Sequence, residues 1–152
     1  MTSVVFIADW FVEQVAGGGE INNDEFIKIL TSQGYEVHKI QSHLVNEETI
    51  SQFNNSVFIV ANFINLSQGA KRALRDKSYV IYEHDHKYLK TRNPAAYPDF
   101  SAPIEQIINK DFYKSANAVL CQSSFHRDIV KKNLKIDNIV SLGGNLWSTE
   151  DL

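Results

Sequence analysis

An apolar segment followed by three consecutive glycines is the feature that most restricts the fold of this chain. Residues 4–8 are continuously apolar and rich in β-branched side chains, as in a strand that is buried on both faces. Gly17, Gly18 and Gly19 follow after a short spacer, and we expect them to form a sharp turn in which the backbone approaches a ligand closely. Residues 20–30 then have apolar side chains at helical spacing, with acidic residues in the first turns, where the helix dipole favours them.

A second strand completes this first unit. Gly34 ends the predicted helix, and residues 35–40 alternate between apolar and polar side chains as a strand does. The resulting βαβ unit places the glycine turn at the carboxyl end of its first strand, the edge at which open α/β sheets bind ligands. The simpler alternative is that the glycines only allow the loop to pack tightly.

The rest of the chain repeats the alternation of strands and helices. Further strands are predicted at residues 56–63, 79–82, 118–122 and 138–142. Helices are predicted at residues 46–53 with Asn46 as N-cap, from Ser67 to Leu74 with Ser67 as N-cap, and at residues 104–113 and 125–134. This alternation predicts an α/β fold, namely a Rossmann-like doubly wound, mostly parallel sheet of about six strands with helices on both faces. We expect residues 1–146 to form a single domain and residues 147–152 to be a tail or the start of an interdomain linker.

The densest group of ionisable side chains lies where the fourth predicted strand ends. Glu83, His84, Asp85 and His86 stand on the same edge as the glycine turn, and an imidazole oriented by a carboxylate can exchange protons near neutral pH. The two histidines share one face if the strand continues, so a two-histidine metal site and a plain polar cluster are both alternatives. Residues 87–103 follow with all three prolines of the chain, and a loop of this length is usually functional or mobile.

Composition limits the compartment and the partners. No apolar run approaches the ~20 residues of a membrane span, and no signal-peptide pattern precedes the first strand, so we expect a cytoplasmic protein. A net charge of −3 and an isoelectric point of about 5.9 argue against a nucleic-acid binder. The charge is uneven, however, because residues 67–152 contain thirteen Lys and Arg against ten acidic residues. Since basic clusters are common on solvated helix faces, this excess gives only weak support to an anionic ligand.

The common cofactor motifs do not match this chain. The glycines lie too far from the first strand for a dinucleotide fingerprint, and Lys39-Ile40-Gln41 ends the second strand where that fingerprint needs an acid. No Gly-Lys-Ser/Thr follows the glycines as in a Walker A loop, and the partner residues that a phospho-receiver needs around Asp9 are not evident. We therefore expect neither a bound cofactor nor a metal ion.

Taken in order, several short stretches resemble the amino-terminal domain of GT-B glycosyltransferases, especially the large retaining group of family-4-like enzymes. These stretches are residues 17–20, 32–37, 80–85, 118–124 and 138–145. The resemblance extends over nearly the whole chain. For the fold, the resemblance implies one half of a GT-B enzyme. For the function, it implies the acceptor-side half of an enzyme that transfers a hexosyl group from a nucleotide-sugar co-substrate.

The resemblance also implies roles for residues at the ligand-binding edge of the sheet. The implied catalytic residues, which contact the reacting sugar, are His84 and Asp85. The residues implied to face the phosphates and the sugar of the nucleotide-sugar donor are Gly17, Gly18 and Gly19. At the start of a later helix, Ser123 and Ser124 are expected to offer hydroxyl and backbone N–H groups to an anionic part of that donor. The residues expected to contact the acceptor are Trp10, Tyr88 and Arg92.

In the resembled enzymes a second Rossmann-like domain contains most of the nucleotide-sugar site. We therefore expect this chain to need a separately encoded donor-binding domain or a homo-oligomer, and to be inactive alone. Its expected partner is a sugar or glycan acceptor. One alternative function is a non-catalytic binding module for a sugar, a nucleotide or a protein partner, and another is a flavodoxin-like or receiver-like single domain.

Overall fold

Six parallel strands form one sheet in the computed structural model, which describes residues 2–144. In chain order the strands are β1 (Ser3–Ala8), β2 (Glu36–Gln41), β3 (Val57–Val60), β4 (Tyr79–Tyr82), β5 (Ala118–Cys121) and β6 (Ile139–Ser141). Across the sheet they stand in the order β2-β1-β3-β4-β5-β6, and every neighbouring pair is parallel. The predicted Rossmann-like α/β architecture is thereby confirmed. The predicted tail at residues 147–152 lies outside the described residues.

Helices connect the strands, and two of the five begin at the capping residues that the sequence predicted. They are α1 (Gly18–Ser32), α2 (Glu47–Gln52), α3 (Gln68–Leu74), α4 (Lys110–Ser115) and α5 (Ser124–Leu134). The side chain of Asn46 accepts a hydrogen bond from the backbone N–H of Thr49 at the start of α2 (2.8 Å), and that of Ser67 accepts one from Ala70 at the start of α3 (3.1 Å). Gly34, with a φ of 91°, follows α1 as expected of a helix terminator.

The helix predicted at residues 104–113 is wrong in its first half. Only a short 3-10 turn forms at Ile104–Gln106, and α4 does not begin until Lys110. The reason is that the preceding loop occupies the backbone groups that a helix would use. The carbonyl of Gln106 accepts from the N–H of Lys90 (3.0 Å), and the N–H of Ile108 donates to the carbonyl of Tyr88 (2.8 Å).

The core consists of two apolar layers, one on each face of the sheet. Helix α1 packs through Phe26, Ile27 and Leu30 on one face, against alternate residues of β1 and β3 such as Phe6 and Ile59. The other four helices pack on the opposite face, against the remaining alternate residues of the strands. Successive residues of a strand point to opposite faces, which explains the continuously apolar strands of the sequence.

The segment at residues 87–103 is an irregular loop, as predicted, and it is bound to α5. The side chain of Asn133 accepts from the N–H of Ala102 and donates to the carbonyl of Phe100, both at 2.8 Å. Arg92 stands in this loop in the left-handed region, with a φ of 55°. No helix among the described residues is both long and apolar enough to cross a lipid bilayer.

Candidate functional site

The sheet order creates a crevice between the carboxyl ends of β1 and β3. From β1 the chain crosses to β2 on one side through α1, whereas from β3 it continues to β4 on the other side. Ligands of open α/β sheets bind at such a switch point. A cavity of about 500 Å³ opens there, which we call the switch-point cavity. Its lining consists of Asp9, Trp10, Gly19, Glu20, Asn62, Ile64, Asn65, His84, Asp85, Lys87 and Arg92.

Asp9 joins the loops that form one wall of this cavity. It directly follows β1 and is only 7% exposed. Its carboxylate accepts hydrogen bonds from the backbone N–H groups of Ile64 (3.2 Å) and Asn65 (3.1 Å), which follow β3, and from the hydroxyl of Ser42, which follows β2. Because its oxygens already have these partners, Asp9 is a positioning residue that holds two neighbouring loops at the end of β1.

The three glycines open α1, and the sharp turn expected of them is wrong. None of them has a positive φ, and the chain turns earlier, at the hydrogen-bonded residues 11–15. Gly17 is the N-cap and provides no side chain to the free N–H groups of the first turn, while α1 begins at Gly18. Only Gly19 lines the cavity, where a Cβ would stand 3.6 Å from Cγ of His84, an ordinary contact distance. The glycines therefore add no side chain to the start of α1, but the carboxylate of Glu20 lies there, with Oε2 2.8 Å from where a Cβ of Gly17 would stand.

His84 is held by hydrogen bonds at both of its ring nitrogens. Nε2 lies 2.6 Å from Oδ1 of Asn23 in α1, and Nδ1 lies 2.8 Å from Nε2 of Gln122 at the end of β5. Because the asparagine oxygen only accepts and the glutamine amide nitrogen only donates, the proton is on Nε2. Burial lowers the pKa of His84 to about 4, and the positive charge of Lys87 contributes. The imidazole is therefore neutral near pH 7, and proton exchange with a ligand requires one of these bonds to open.

Below the cavity, two acids and two bases form an ion-pair network. Lys87 is buried, and its ammonium group contacts the carboxylate of Asp85 and lies 3.8 Å from that of Glu83. Arg92 adds a second cation 3.6 Å from Asp85. Burial alone would raise the pKa of Asp85, but the charges of Lys87 and Arg92 outweigh it and lower that pKa. Asp85 is thus an ionised carboxylate that is already paired.

Glu83 differs from Asp85 because it is completely buried. Its carboxylate oxygens have no hydrogen-bond partner among the described residues. Burial raises the pKa of Glu83 to about 7, although the charge of Lys87 opposes the shift. A buried carboxyl group that titrates near neutral pH therefore lies one residue before the cavity-lining His84.

The other histidines of this region are engaged elsewhere. His86 is hydrogen-bonded to the hydroxyl of Tyr88 through Nδ1 (2.7 Å), and its ring packs on that of His126 at 4.7 Å. Burial lowers the pKa of His86 to about 4 and also lowers that of His126. No group of three His, Cys, Asp or Glu side chains within residues 2–144 is arranged to hold a metal ion.

Three predicted site residues stand apart from the cavity, in addition to Gly17 and Gly18. Tyr88 is fully buried, because its ring packs in the core, and it offers no surface to an acceptor. The hydroxyl of Ser123 accepts from the N–H of His126 (3.0 Å) as the N-cap of α5. Ser124 is exposed at the same helix start. Both serines lie at the ligand-binding edge of the sheet but do not line the switch-point cavity.

The cavity thus brings together some predicted residues and several that sequence reasoning missed. The predicted ones are Trp10, Gly19, His84, Asp85 and Arg92. The missed ones with clear partners or placement are Asp9, Asn62, Asn65 and Lys87. For Asp9 and Asn62 a signal was available, because each is a polar residue that follows a buried strand within two positions. No local signal distinguishes Lys87 from the exposed lysines around it.

The chain is similar to known proteins in its three-dimensional structure but not in its sequence. No protein-family model and no curated protein sequence matches the chain. Among solved structures it is similar to an α-glucosyltransferase in complex with UDP and a 13-mer DNA containing a HMU base, with a TM-score of 0.56 and 11% identity. It is also similar to an α-glucosyltransferase in complex with UDP, with a TM-score of 0.55 and 10% identity.

These two similarities define the extent of the common fold. In each case 93% of this chain is covered, but only 41% and 43% of the respective glucosyltransferase chains. At such low identity the likeness establishes the fold and not the activity. The chain therefore has the Rossmann-like α/β fold of one half of a glycosyltransferase.

Proposed function

We propose that this chain is the acceptor-side half of a retaining, GT-B type glycosyltransferase that uses a nucleotide-sugar. The observation that carries the proposal is the switch-point cavity, where the start of α1, with Gly19 and the carboxylate of Glu20, lies beside paired cationic and carboxylate side chains. The likeness in fold to α-glucosyltransferases in complex with UDP supports it. The chain spans about two fifths of those structures, and we infer that a donor-binding domain outside these 152 residues, or a second copy, supplies the other half.

The cavity residues suit both ends of such a reaction. The first-turn N–H groups at Gly19 and Glu20 would bind the diphosphate of the donor in place of the Glu20 carboxylate, which lies beside Gly17. The guanidinium group of Arg92, expected from the sequence to contact the acceptor, would bind the same diphosphate. The carboxylate of Asp85 would accept hydrogen bonds from hydroxyls of the reacting sugar. Trp10, which is 45% exposed, offers the face of its ring to an acceptor sugar.

Nucleic acid belongs among the acceptor classes of this proposal. Net charge argued against it, but one of the similar glucosyltransferases was solved with DNA. That finding concerns the neighbour, whose identity to this chain is 11%, and it supports only keeping this class in the acceptor tests.

A second candidate function is a non-catalytic binding module. The observation that favours it is that the side chains able to take part in catalysis already have hydrogen-bond or ion-pair partners within the protein. Both ring nitrogens of His84 are hydrogen-bonded to side chains, and Asp85 is paired with Lys87 and Arg92. Such a site can still bind a sugar or a nucleotide, but it performs chemistry only if a ligand or a partner domain displaces these contacts.

Titration of UDP and UDP-glucose into the purified chain distinguishes the two functions. The fluorescence of Trp10 can report ligand binding, because Trp10 lines the cavity and the substitution Trp147→Phe leaves it as the only tryptophan of the chain. Calorimetry and fluorescence are measured with and without a donor-binding domain encoded by a neighbouring gene. The test variants are Gly19→Val, which places a branched side chain in the cavity beside His84, and Arg92→Gln. The matched control is Arg127→Gln, which removes a positive charge from an ion pair on α5.

Binding and sugar transfer that require both polypeptides, and that Arg92→Gln weakens by about tenfold or more, are expected for the transferase half. Tight binding by the lone chain without transfer under any condition would instead establish the binding module. No response from Trp10 and no heat in either arrangement would contradict both functions and leave the likeness as one of fold.

A further inference from the structure

A depression with basic walls extends from the switch-point cavity across α3 to the start of α4. It consists of two adjoining cavities of about 370 and about 530 Å³. The residues common to both are Gln68, Lys71, Ile108 and Asn109. The residues that the first of them shares with the switch-point cavity are Ile64, Lys87 and Arg92. The lining of these two cavities is continuous with the candidate site, and we call it the basic trough.

The charge of the basic trough is almost entirely of one sign. Seven Lys and Arg residues line it, against the single acid Asp111. The exposed cations are Arg72, Arg75, Lys90, Arg92 and Lys110. Within residues 2–144, only Arg75 and Arg92 of these have a carboxylate within 4 Å, at 3.7 Å and 3.6 Å. A chain with a net charge of −3 thus concentrates uncompensated positive charge in one elongated surface.

Lys71 is the least compensated cation of the trough. Its side chain is buried, with 8% of the residue exposed, and its ammonium group donates to Oδ1 of Asn109 at 3.0 Å. The ring of Phe63 lies 5.4 Å away, and no carboxylate forms an ion pair with it in the described part of the chain. Burial accordingly lowers the pKa of Lys71. The charge of Asp9 opposes this shift, but Lys87 adds a second cation over the ring of Phe63. A buried cation without an ion pair is stabilised by an anionic ligand that enters the trough.

We propose that the basic trough binds the phosphodiester backbone of a single-stranded nucleic acid and leads one nucleotide of it to the switch-point cavity. The acceptor role of that nucleotide rests on the proposed function, whereas binding by the trough does not. Arginine and lysine side chains in a groove neutralise successive phosphates.

Two observations favour a nucleic acid over an anionic glycan. Apolar side chains interrupt the cationic walls, since Ile64 and Ile108 are 54% and 37% exposed along the trough. At the cavity end Trp10 exposes its indole, on which an unpaired base can stack. Apolar and aromatic faces next to cations suit a chain of alternating bases and phosphates, because each base brings a flat apolar face that can stack, whereas an anionic glycan brings fewer apolar faces.

The test is the binding of a fluorescein-labelled oligothymidylate of about 20 nucleotides, measured by anisotropy over a series of salt concentrations. Lys90→Gln/Lys110→Gln removes two exposed charges from the trough, and Lys71→Met removes the buried one. The matched control is Lys28→Gln/Lys131→Gln, which removes two exposed charges from α1 and α5. Thermal unfolding of each variant confirms that it is folded.

We expect Lys90→Gln/Lys110→Gln to bind the oligothymidylate about tenfold more weakly than the wild type. The slope of the logarithm of its binding constant against the logarithm of the salt concentration should be smaller in magnitude by about 1.4, while the control pair binds as the wild type does. An equal loss in the control pair would overturn the trough as the binding surface. Hyaluronate or polyglutamate competing as well as unlabelled oligothymidylate at equal charge would overturn the nucleic-acid assignment. Oligothymidylate binding without any UDP-glucose binding or transfer would contradict the proposed function and leave this inference standing.

Discussion

Nζ of Lys87 lies 3.8 Å from Oε1 of Glu83, and both side chains are buried beneath the switch-point cavity. The same ammonium group also contacts Asp85 at the cavity surface. A single lysine therefore compensates a carboxyl group inside the core and another at the candidate site. Stability and the charge of the site are therefore coupled through this residue.

Replacing Lys87 by Met should destabilise the fold by about 3 to 5 kcal/mol, because the buried carboxyl group of Glu83 loses its compensating charge. The free energy of unfolding from urea denaturation at pH 7 measures this loss. Lys90→Met, at an exposed neighbouring lysine, should change that free energy by less than about 0.5 kcal/mol. Adding Glu83→Gln to Lys87→Met should restore much of the stability. If the double variant is no more stable than Lys87→Met, the two side chains are not coupled.

Glu83 should make the protein less stable as the pH rises through the neutral range. Its pKa is raised from 4.5 to about 7 in the folded state, so the unfolded chain releases this proton at lower pH than the folded one. The stabilisation that the protonated Glu83 gives to the folded state is fully present below about pH 4.5 and is lost as the pH approaches about 7. Relative to Glu83→Gln, the wild type should lose up to about 3 kcal/mol over this range. Parallel stability curves for the two proteins would show that Glu83 ionises normally.

His84 should have the opposite pH dependence. Its folded pKa is lowered from 6.5 to about 4, so its stabilising contribution is present above about pH 6.5 and is lost as the pH falls toward 4. His84→Asn should flatten that part of the stability curve. Nitrogen NMR shifts at pH 6 should show a neutral ring with the proton on Nε2, which donates to Asn23. An imidazolium signal at this pH would contradict the geometry.

Asp9→Ala should cost about 3 kcal/mol and disturb the cavity, because backbone N–H groups of Ile64 and Asn65 lose a charged acceptor. Amide hydrogen exchange at these two residues should accelerate more than at the strands. Asp137→Ala, at an exposed acid near β6, is the matched control and should leave both stability and exchange unchanged. Unchanged exchange at Ile64 and Asn65 in Asp9→Ala would show that the loop after β3 is held by other contacts.

The candidate site was predictable only where a residue's position on a strand determines its place. His84 and Asp85 were expected at the carboxyl edge because a strongly apolar strand ends just before them. Tyr88, which lies four residues after His84, could not be placed from the sequence, since the turn after β4 directs its ring into the core. The importance of Asp9 was also hidden, because its partners Ile64 and Asn65 are more than fifty residues away.

The sequence by itself determined the alternating elements and the caps that start them, such as Asn46 and Ser67, because these depend on side chains within a few residues of each other. Tertiary structure alone decided the strand order, and with it the switch point between β1 and β3. It also decided that residues 104–109 are not α-helical and that dispersed basic residues form one trough. The physical reason is that strand pairing, burial and electrostatic potential sum contacts between distant parts of the chain, which no local pattern or net charge records.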